Sequence, residues 1–223
     1  LDLKEGESYR KLISVLTHEI MNLMSPLTSV AAVLEQIYLG PEPPGVQDID
    51  EERIRTTRNS VAVIRDQRLG ITGFLGNYRK ISKIPEPEIS PFEAGDWLDQ
   101  LRIAFSDKAE QHQIQLEIFH DRSIRQIEAD KKLLNQMLVN LMNNALDAVE
   151  ENNGIRIIRI RVEPADMNRI RLILENNGPC IPPERLEKIF IPFYTTKKEG
   201  SGIGLSICRE IVRAHHGSLT VVS

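Results

Sequence analysis

The strongest constraint on this chain is the spacing of apolar residues at its start. Tyr9, Ile13, Leu16, Ile20, Leu23, Leu27, Val30, Leu34 and Ile37 recur in alternating steps of four and three. A heptad seam of that length predicts one long helix packed in a bundle or coiled coil. The run Gly40-Pro41-Glu42-Pro43-Pro44-Gly45 must end it. A second helix is predicted over residues 50–83, with a thinner seam of Ile54, Val61, Ile64, Ile71, Leu75 and Tyr78 that Thr57 and Arg68 interrupt. Two long helices joined by a short loop make a helical hairpin. One hairpin cannot cover both seams, so the expected assembly is a homodimer with a four-helix bundle.

Ile84-Pro85-Glu86-Pro87-Glu88 reads as a linker, because prolines there end the helix. The expected domains are therefore 1–83, the hairpin, and 84–223. In the second, 97–111 and 130–150 read as helices and 202–215 as a helix after a glycine-rich loop. Segments 113–119, 155–162 and 169–175 alternate as half-buried strands, as does Ser218–Val222. Helices mixed with antiparallel strands point to an α+β sandwich of one sheet and one helical layer.

With 223 residues, 41% hydrophobic and 27% charged, the chain has ordinary globular composition. A net charge of −4 gives no electrostatic case for nucleic acid. No stretch is expected to reach the ~20 apolar residues of a membrane span. Two cysteines, Cys180 and Cys208, form no disulfide framework and suit a reducing compartment. A start at Leu1 and an end within a strand-like run read as a fragment of a longer protein.

Four clusters carry chemistry. His18 falls opposite the first seam, with Glu19 beside it and Asn22 one helical turn on. A carboxylate that takes the proton of one ring nitrogen leaves the other as a nucleophile. A solvated surface histidine would sit in the same place. Pro26 deletes the helical bond to the Asn22 carbonyl and is expected to bend the helix. Further on, Asn140 and Asn144 stand at i and i+4, and paired amide oxygens suit a hard cation such as Mg²⁺ shared with phosphate. They equally suit two amides with ordinary partners. The polar turn Asn176-Asn177-Gly178 follows an apolar strand and can face a ligand. Lastly, Gly200-Ser201-Gly202-Ile203-Gly204-Leu205 opens a helix, where backbone N–H groups attract an anion, with Lys197 and Lys198 upstream. A mobile linker would also be rich in glycine.

In this order the clusters resemble a two-component sensor histidine kinase across nearly the whole chain. His18-Glu19-Ile20-Met21-Asn22 with Pro26-Leu27 resembles the phosphoacceptor box, with two extra residues between the Asn and the Pro. Asn140–Asp147 resembles the asparagine box, and the run to Ala148 is closest to the nitrogen-regulation-like branch. Asn176–Ile181 resembles the first glycine box, Phe190–Lys197 the phenylalanine box and Gly200–Leu205 the second glycine box. The resemblance implies a Bergerat-type α/β sandwich that binds ATP and Mg²⁺ under a lid between Phe190 and Gly200. It also implies autophosphorylation of His18 and transfer to an Asp of a response regulator.

By the same resemblance, His18 is the nucleophile, Glu19 its base and Asn22 a catalytic neighbour linked to phosphatase activity. Asn144 is the Mg²⁺ ligand. Nucleotide contacts fall on Asn140, Asn144, Asp147, Asn176, Gly178, Ile181, Lys197, Gly202, Ile203, Gly204 and Leu205. The implied setting is cytoplasmic, within a parent that is membrane-attached in much of the family. Two positions depart from the pattern. Asn176 stands where the family has an Asp that binds the adenine amino group, and Cys180 stands where it has a Gly. These departures keep an alternative in view, a nucleotide-impaired module that binds or dephosphorylates a response regulator. An ATPase or chaperone of the same superfamily would leave the His18 box unexplained.

Overall fold

The computed structural model describes residues 3–40, 44–82, 84–166, 169–197 and 200–223; the side chain of Tyr9, Lys83 and Lys198 lie outside the described residues. The first two elements are the long helices α1 (Leu3–Tyr38) and α2 (Glu51–Ser82), joined through a single 3-10 turn at Val46–Asp48. Helix α1 runs on through Pro26. The two helices are antiparallel. Near the loop the Tyr38 hydroxyl meets Thr57 Oγ1 at 2.5 Å. Further along, Leu23 Cδ2 lies 3.0 Å from where a Cβ on Gly70 would stand.

The α1 seam divides. Leu16, Leu23, Leu27, Val30, Leu34 and Ile37 are half-buried, while Ile13 and Ile20 are exposed. In the single chain the α2 seam is mostly uncovered: Ile54, Val61, Ile64, Leu75 and Tyr78 stay exposed, and of that set Ile71 is half-buried. Half-buried Thr57 and buried Ser60 lie on the face toward α1. The expectation of no membrane-length apolar stretch is also corrected. Leu16–Tyr38 is 23 residues with mean hydropathy 1.2, long and apolar enough by length and composition to cross a membrane. Its apolar residues serve both the hairpin contact and the exposed stripe, and it includes Glu19 and Glu35.

The second unit is built from β1 (Ser90–Glu93), α3 (Ala94–Gln111), β2 (Ile114–His120), β3 (Gln126–Ala129), α4 (Lys131–Glu150), β4 (Arg156–Ala165), β5 (Arg169–Asn176), the single turn α5 (Pro183–Leu186) and α6 (Gly204–Ala214). The main sheet has the order β2-β4-β5, with β2 and β4 parallel and β4 and β5 antiparallel. The sheet is therefore mixed, as a Bergerat-type sandwich implies: the chain crosses from β2 to β4 through β3 and α4 and so enters β4 in the same direction as β2. Strands β1 and β3 form a separate antiparallel pair too short to show periodicity in sequence. Ser218–Val222 is not a strand; α6 ends at a left-handed His216, with the Gly217 N–H returning to the Val212 carbonyl.

The core lies between one sheet face and the helices. Ile158, Ile160 and Val162 of β4 meet Trp97 and Leu101 of α3, Leu138 and Met142 of α4, and Ile207 and Ile211 of α6. Each fully buried Ile or Leu contributes about 1.5–3 kcal/mol. Cys208 belongs to this core, where burial pushes its thiol up to about 12, so it is inert as a nucleophile. The opposite sheet face explains the Ile-Arg alternation: Arg159 pairs with Glu117 at 2.6 Å, Arg161 with Glu175 at 3.0 Å and Arg171 with Glu163 at 3.2 Å.

Asp130 ties three segments together. It caps α4 by accepting from the Leu133 N–H at 3.1 Å, and its other oxygen accepts from the Glu88 N–H of the linker at 3.0 Å. Its own N–H donates to His215 Nε2 at 3.0 Å, while His215 Nδ1 faces the Ile211 carbonyl at 2.8 Å. Burial raises the Asp130 carboxyl, but the backbone donors Leu133 and Glu88 outweigh it and hold the group below its ordinary value. Its stabilising contribution is therefore full at neutral pH and fades as the pH falls through that depressed value. Asp130→Ala is expected to lower stability by about 1–2 kcal/mol at pH 7. Urea titration of both proteins at descending pH should show the gap closing in the acid range. A gap independent of pH would remove the carboxylate from the account.

Candidate functional site

The site has two parts. On α1, the His18 side chain is 74% exposed. The Asn22 amide nitrogen stands 3.2 Å from His18 Nδ1 and Glu19 Oε1 stands 3.6 Å from the same nitrogen. Both neighbours address Nδ1, so Nε2 is the ring nitrogen left for an incoming electrophile. The two want opposite states of it: an amide N–H needs Nδ1 as an acceptor, whereas the carboxylate needs it protonated. The structure thus brings His18, Glu19 and Asn22 together, as the spacing on one helix required.

The other part is a broad cleft of about 2450 Å³ between the sheet and the helical layer. It holds far more than the ~300–1,000 Å³ of an ordinary ligand pocket. Of the residues expected at the nucleotide, Asn144, Asn176, Ile181, Lys197 and Leu205 line it, with Leu141, Ala145, Ala148 and Phe190 as apolar wall. Helix α4 presents Asn144 and, three residues on, Asp147. The Lys197 ammonium reaches both, 3.1 Å from Asn144 Oδ1 and 2.5 Å from Asp147 Oδ2. An amide oxygen, a carboxylate and a cation therefore converge at one point.

The glycines shape the cleft by close approach. A Cβ on Gly178 would fall 2.6 Å from the Ala148 carbonyl oxygen, so the turn after β5 presses against α4. Gly202 has φ +66, and a Cβ there would fall 2.4 Å from the Phe193 carbonyl carbon. Phe193 itself is left-handed, at φ 67, and its N–H donates to the Gly202 carbonyl at 2.9 Å. Gly204 begins α6 beside the Asn140 side chain. Asn140 thus stands at the α4–α6 junction. Ile203 is 4% exposed and belongs to the core; its carbonyl is occupied by Ser206 Oγ at 2.8 Å and the Ile207 N–H at 3.0 Å.

Asn176 and Asn177 look alike in sequence but differ in place. Asn177 is stitched to β4: its Oδ1 accepts from the Ile157 N–H at 2.9 Å and its Nδ2 donates to the Ile155 carbonyl at 2.6 Å. Asn176 makes no side-chain hydrogen bond among the described residues and stands on the cleft wall. Exposed Cys180 sits two residues beyond Gly178. Sequence reasoning missed Phe193 as an anchor of Gly202, and missed its ring contact with Phe74 of the hairpin; a positive φ at Phe has no sequence signal.

The donor set fits nucleotide and Mg²⁺. Among the described residues no cluster of three or more His, Cys, Asp or Glu could cage a metal. A single amide oxygen near one carboxylate instead suits a hard cation that takes its remaining ligands from phosphate and water. The N-terminus of α6, opened by Gly202 and Gly204, adds backbone donors for an anion.

Known proteins share this architecture. Residues 129–223 match the family model described as histidine kinase-, DNA gyrase B- and HSP90-like ATPase. Adaptive-response sensory kinase SasA of Gloeothece citriformis is 26% identical over 220 residues, covering 96% of this chain and 54% of SasA. Sensor histidine kinase ZraS of Salmonella typhimurium is 32% identical over 118 residues, 53% of this chain and 25% of ZraS. The chain thus spans about half the length of the first relative and a quarter of the second. Among solved structures, the nucleotide-free catalytic domain of histidine kinase ThkA is 36% identical with a TM-score of 0.51, covering 56% of this chain and 80% of that one. The complex of ThkA with response regulator protein TrrA extends the likeness over 97% of this chain and 61% of that one, at 25% identity and a TM-score of 0.57. With an exposed histidine on a helical hairpin and a histidine kinase-like ATPase domain following it, the chain belongs to the two-component sensor histidine kinases.

Proposed function

We propose that this chain is the cytoplasmic catalytic core of an ATP-dependent protein-histidine kinase that phosphorylates His18 and passes the phosphoryl group to an Asp of a response regulator. The observation that carries this reading is that one chain holds both halves of the reaction. An exposed imidazole has its Nδ1 flanked by Glu19 and Asn22, and a cleft has Lys197 facing Asn144 and Asp147.

His18 Nε2 attacks the γ-phosphorus of ATP; the N–P bond forms, the bond to the bridging oxygen breaks and ADP leaves. Glu19 balances the imidazolium charge and takes the Nδ1 proton. Lys197 moves from Asn144 and Asp147 to phosphate oxygens, which frees the Asn144 oxygen. Asn144 would hold Mg²⁺, which when bound would supply charge neutralisation for the phosphates. Phosphoryl transfer needs little beyond such positioning and charge compensation. ATP labelled at the γ-position tests the reading: acid-labile, alkali-stable label should map to His18 and pass to a receiver domain. Label on another residue, or none, rejects it.

Assembly follows from the exposed stripe. Ile13, Ile20, Met21 and Met24 of α1 and Ile54, Val61, Ile64, Leu75 and Tyr78 of α2 are all at least 39% exposed. A second copy of the hairpin covers such a stripe and gives a four-helix bundle through residues ~9–83. Sedimentation at tens of micromolar is expected to show a dimer, and a helical monomer would contradict it.

The nucleotide-impaired alternative rests on Asn176. Its amide keeps an acceptor for the adenine amino group and lacks the charge of an Asp. A charge-assisted bond is worth about 1 kcal/mol more than a neutral one, so Asn176→Asp should tighten ATP roughly fivefold. Calorimetry with ATP, and with GTP as control, measures it. Unchanged or weaker ATP binding would mean the pocket is adapted to the amide.

A further inference from the structure

The hairpin meets the cleft side of the molecule where α2 touches α6 and through one ring pair. The rings of Phe74 on α2 and Phe193 beside the cleft stack with centroids 4.8 Å apart and planes 27° from parallel. Two apolar rings hiding from water would also stack, but three features give this pair a further consequence. First, the Phe193 ring is placed by its backbone. Its left-handed φ of 67, its N–H bond to the Gly202 carbonyl and the seating of Gly202 against its backbone fix where its Cα stands. Shifting that anchor means moving Gly202 and the start of α6.

Second, Phe193 lies four residues before Lys197, whose ammonium reaches Asn144 and Asp147. The ring is thus attached at close range to both the glycine loop and the phosphate-facing cation. Third, the hairpin register puts the contact at a meaningful height. Gly70 lies against Leu23, and the helices are antiparallel. From there to His18 is five residues back along α1, and to Phe74 four residues on along α2. At ~1.5 Å rise per residue these are about 7.5 and 6 Å, so His18 and Phe74 stand within about one residue of the same level. Helix α2 also meets α6 in this region, so the ring pair is part of a small contact between the hairpin and the nucleotide loops. His18 remains open to solvent at that level.

We propose that the Phe74–Phe193 stack docks the nucleotide loops on the hairpin at the height of His18, which makes Phe74 a positioning residue for phosphoryl transfer. The inference rests on the kinase reading above. A ring pair is a modest contact, suited to forming and releasing in each turnover.

The test compares wild type with Phe74→Ala, Phe74→Tyr, Phe193→Ala and the double alanine variant. Initial rates of His18 labelling are measured against ATP concentration. Phe74→Ala is expected to lower kcat five- to tenfold with KM for ATP within twofold, and Phe74→Tyr to restore the rate. The double variant should be no slower than Phe193→Ala, since both act through one contact. Unchanged or faster labelling by Phe74→Ala, or a loss confined to KM, overturns the proposal. Amide hydrogen exchange reads the same contact without activity: Phe74→Ala should speed exchange across residues 193–204, and unaltered exchange overturns the docking role. A wild-type protein that takes no label defeats the kinase reading instead, while the exchange comparison still decides the stack.

Discussion

A His18→Gln protein is expected to take no acid-labile phosphoryl label from ATP while binding the nucleotide as wild type does. The expectation follows from the separation of the two parts. His18 touches Glu19 and Asn22 on its own helix, and none of the described contacts joins it to the cleft residues. Removing the imidazole therefore removes the acceptor and leaves Asn144, Lys197 and Asn176 where they are. Glutamine is a good helix former, so α1 should stay helical. Its amide nitrogen is not a nucleophile, so the loss is complete rather than graded. Two of the other four histidines are already engaged. His112 pairs with Glu150 at 2.6 Å, and His215 is committed to Asp130 and Ile211. Label mapping by mass spectrometry, paired with calorimetry for ATP, checks both halves of the statement. Residual label above background in the variant would move the acceptor elsewhere.

How much of this was legible before the fold was known varies with the range of the interaction. The His18, Glu19 and Asn22 cluster is local, and helical spacing alone sets it. Asn144 beside Asp147 is equally local, since three residues make one turn. Apolar periodicity located the α2 seam but does not say which partner covers it. Within one hairpin Thr57, buried Ser60 and half-buried Val63 and Ile71 lie toward α1, while Ile54, Val61, Ile64, Leu75 and Tyr78 face outward. The sheet was legible as strands but not as a topology: nothing in the alternation of Ile and Arg says that β2 runs parallel to β4. Asn176 and Asn177 show the limit most sharply. Two adjacent identical residues divide into a cleft-lining amide at the end of β5 and, one residue past it, a structural staple to β4. The Phe74–Phe193 contact spans the linker and needs a left-handed Phe, which no local rule predicts.

Replacing Gly202 by alanine is expected to cost most of the ATP affinity, whereas the same change at Gly204 should be mild. The two glycines are two residues apart in one loop, so the contrast isolates geometry from composition. At Gly202 the backbone has φ +66, where an L-residue costs about 1–2 kcal/mol. The added Cβ would also stand 2.4 Å from the Phe193 carbonyl carbon and 2.7 Å from its Cα and oxygen. These are backbone atoms that cannot rotate away, so the loop itself must shift, at about 1–3 kcal/mol more. The shift would break the Phe193 N–H to Gly202 bond and carry the start of α6 away from its anion-facing position. At Gly204 the nearest atom to a new Cβ is Asn140 Oδ1 at 3.7 Å, an ordinary contact, and alanine is the better helix former at the start of α6. Gly202→Ala should therefore weaken ATP binding by at least about tenfold and lower the unfolding midpoint, with Gly204→Ala close to wild type in both. Calorimetry and thermal unfolding on the two variants decide it. Equal effects would mean that these loops respond to the loss of glycine in general. A larger loss at Gly204 would shift the weight to the Asn140–α6 junction, where backbone approach to the phosphates would then be the controlling contact.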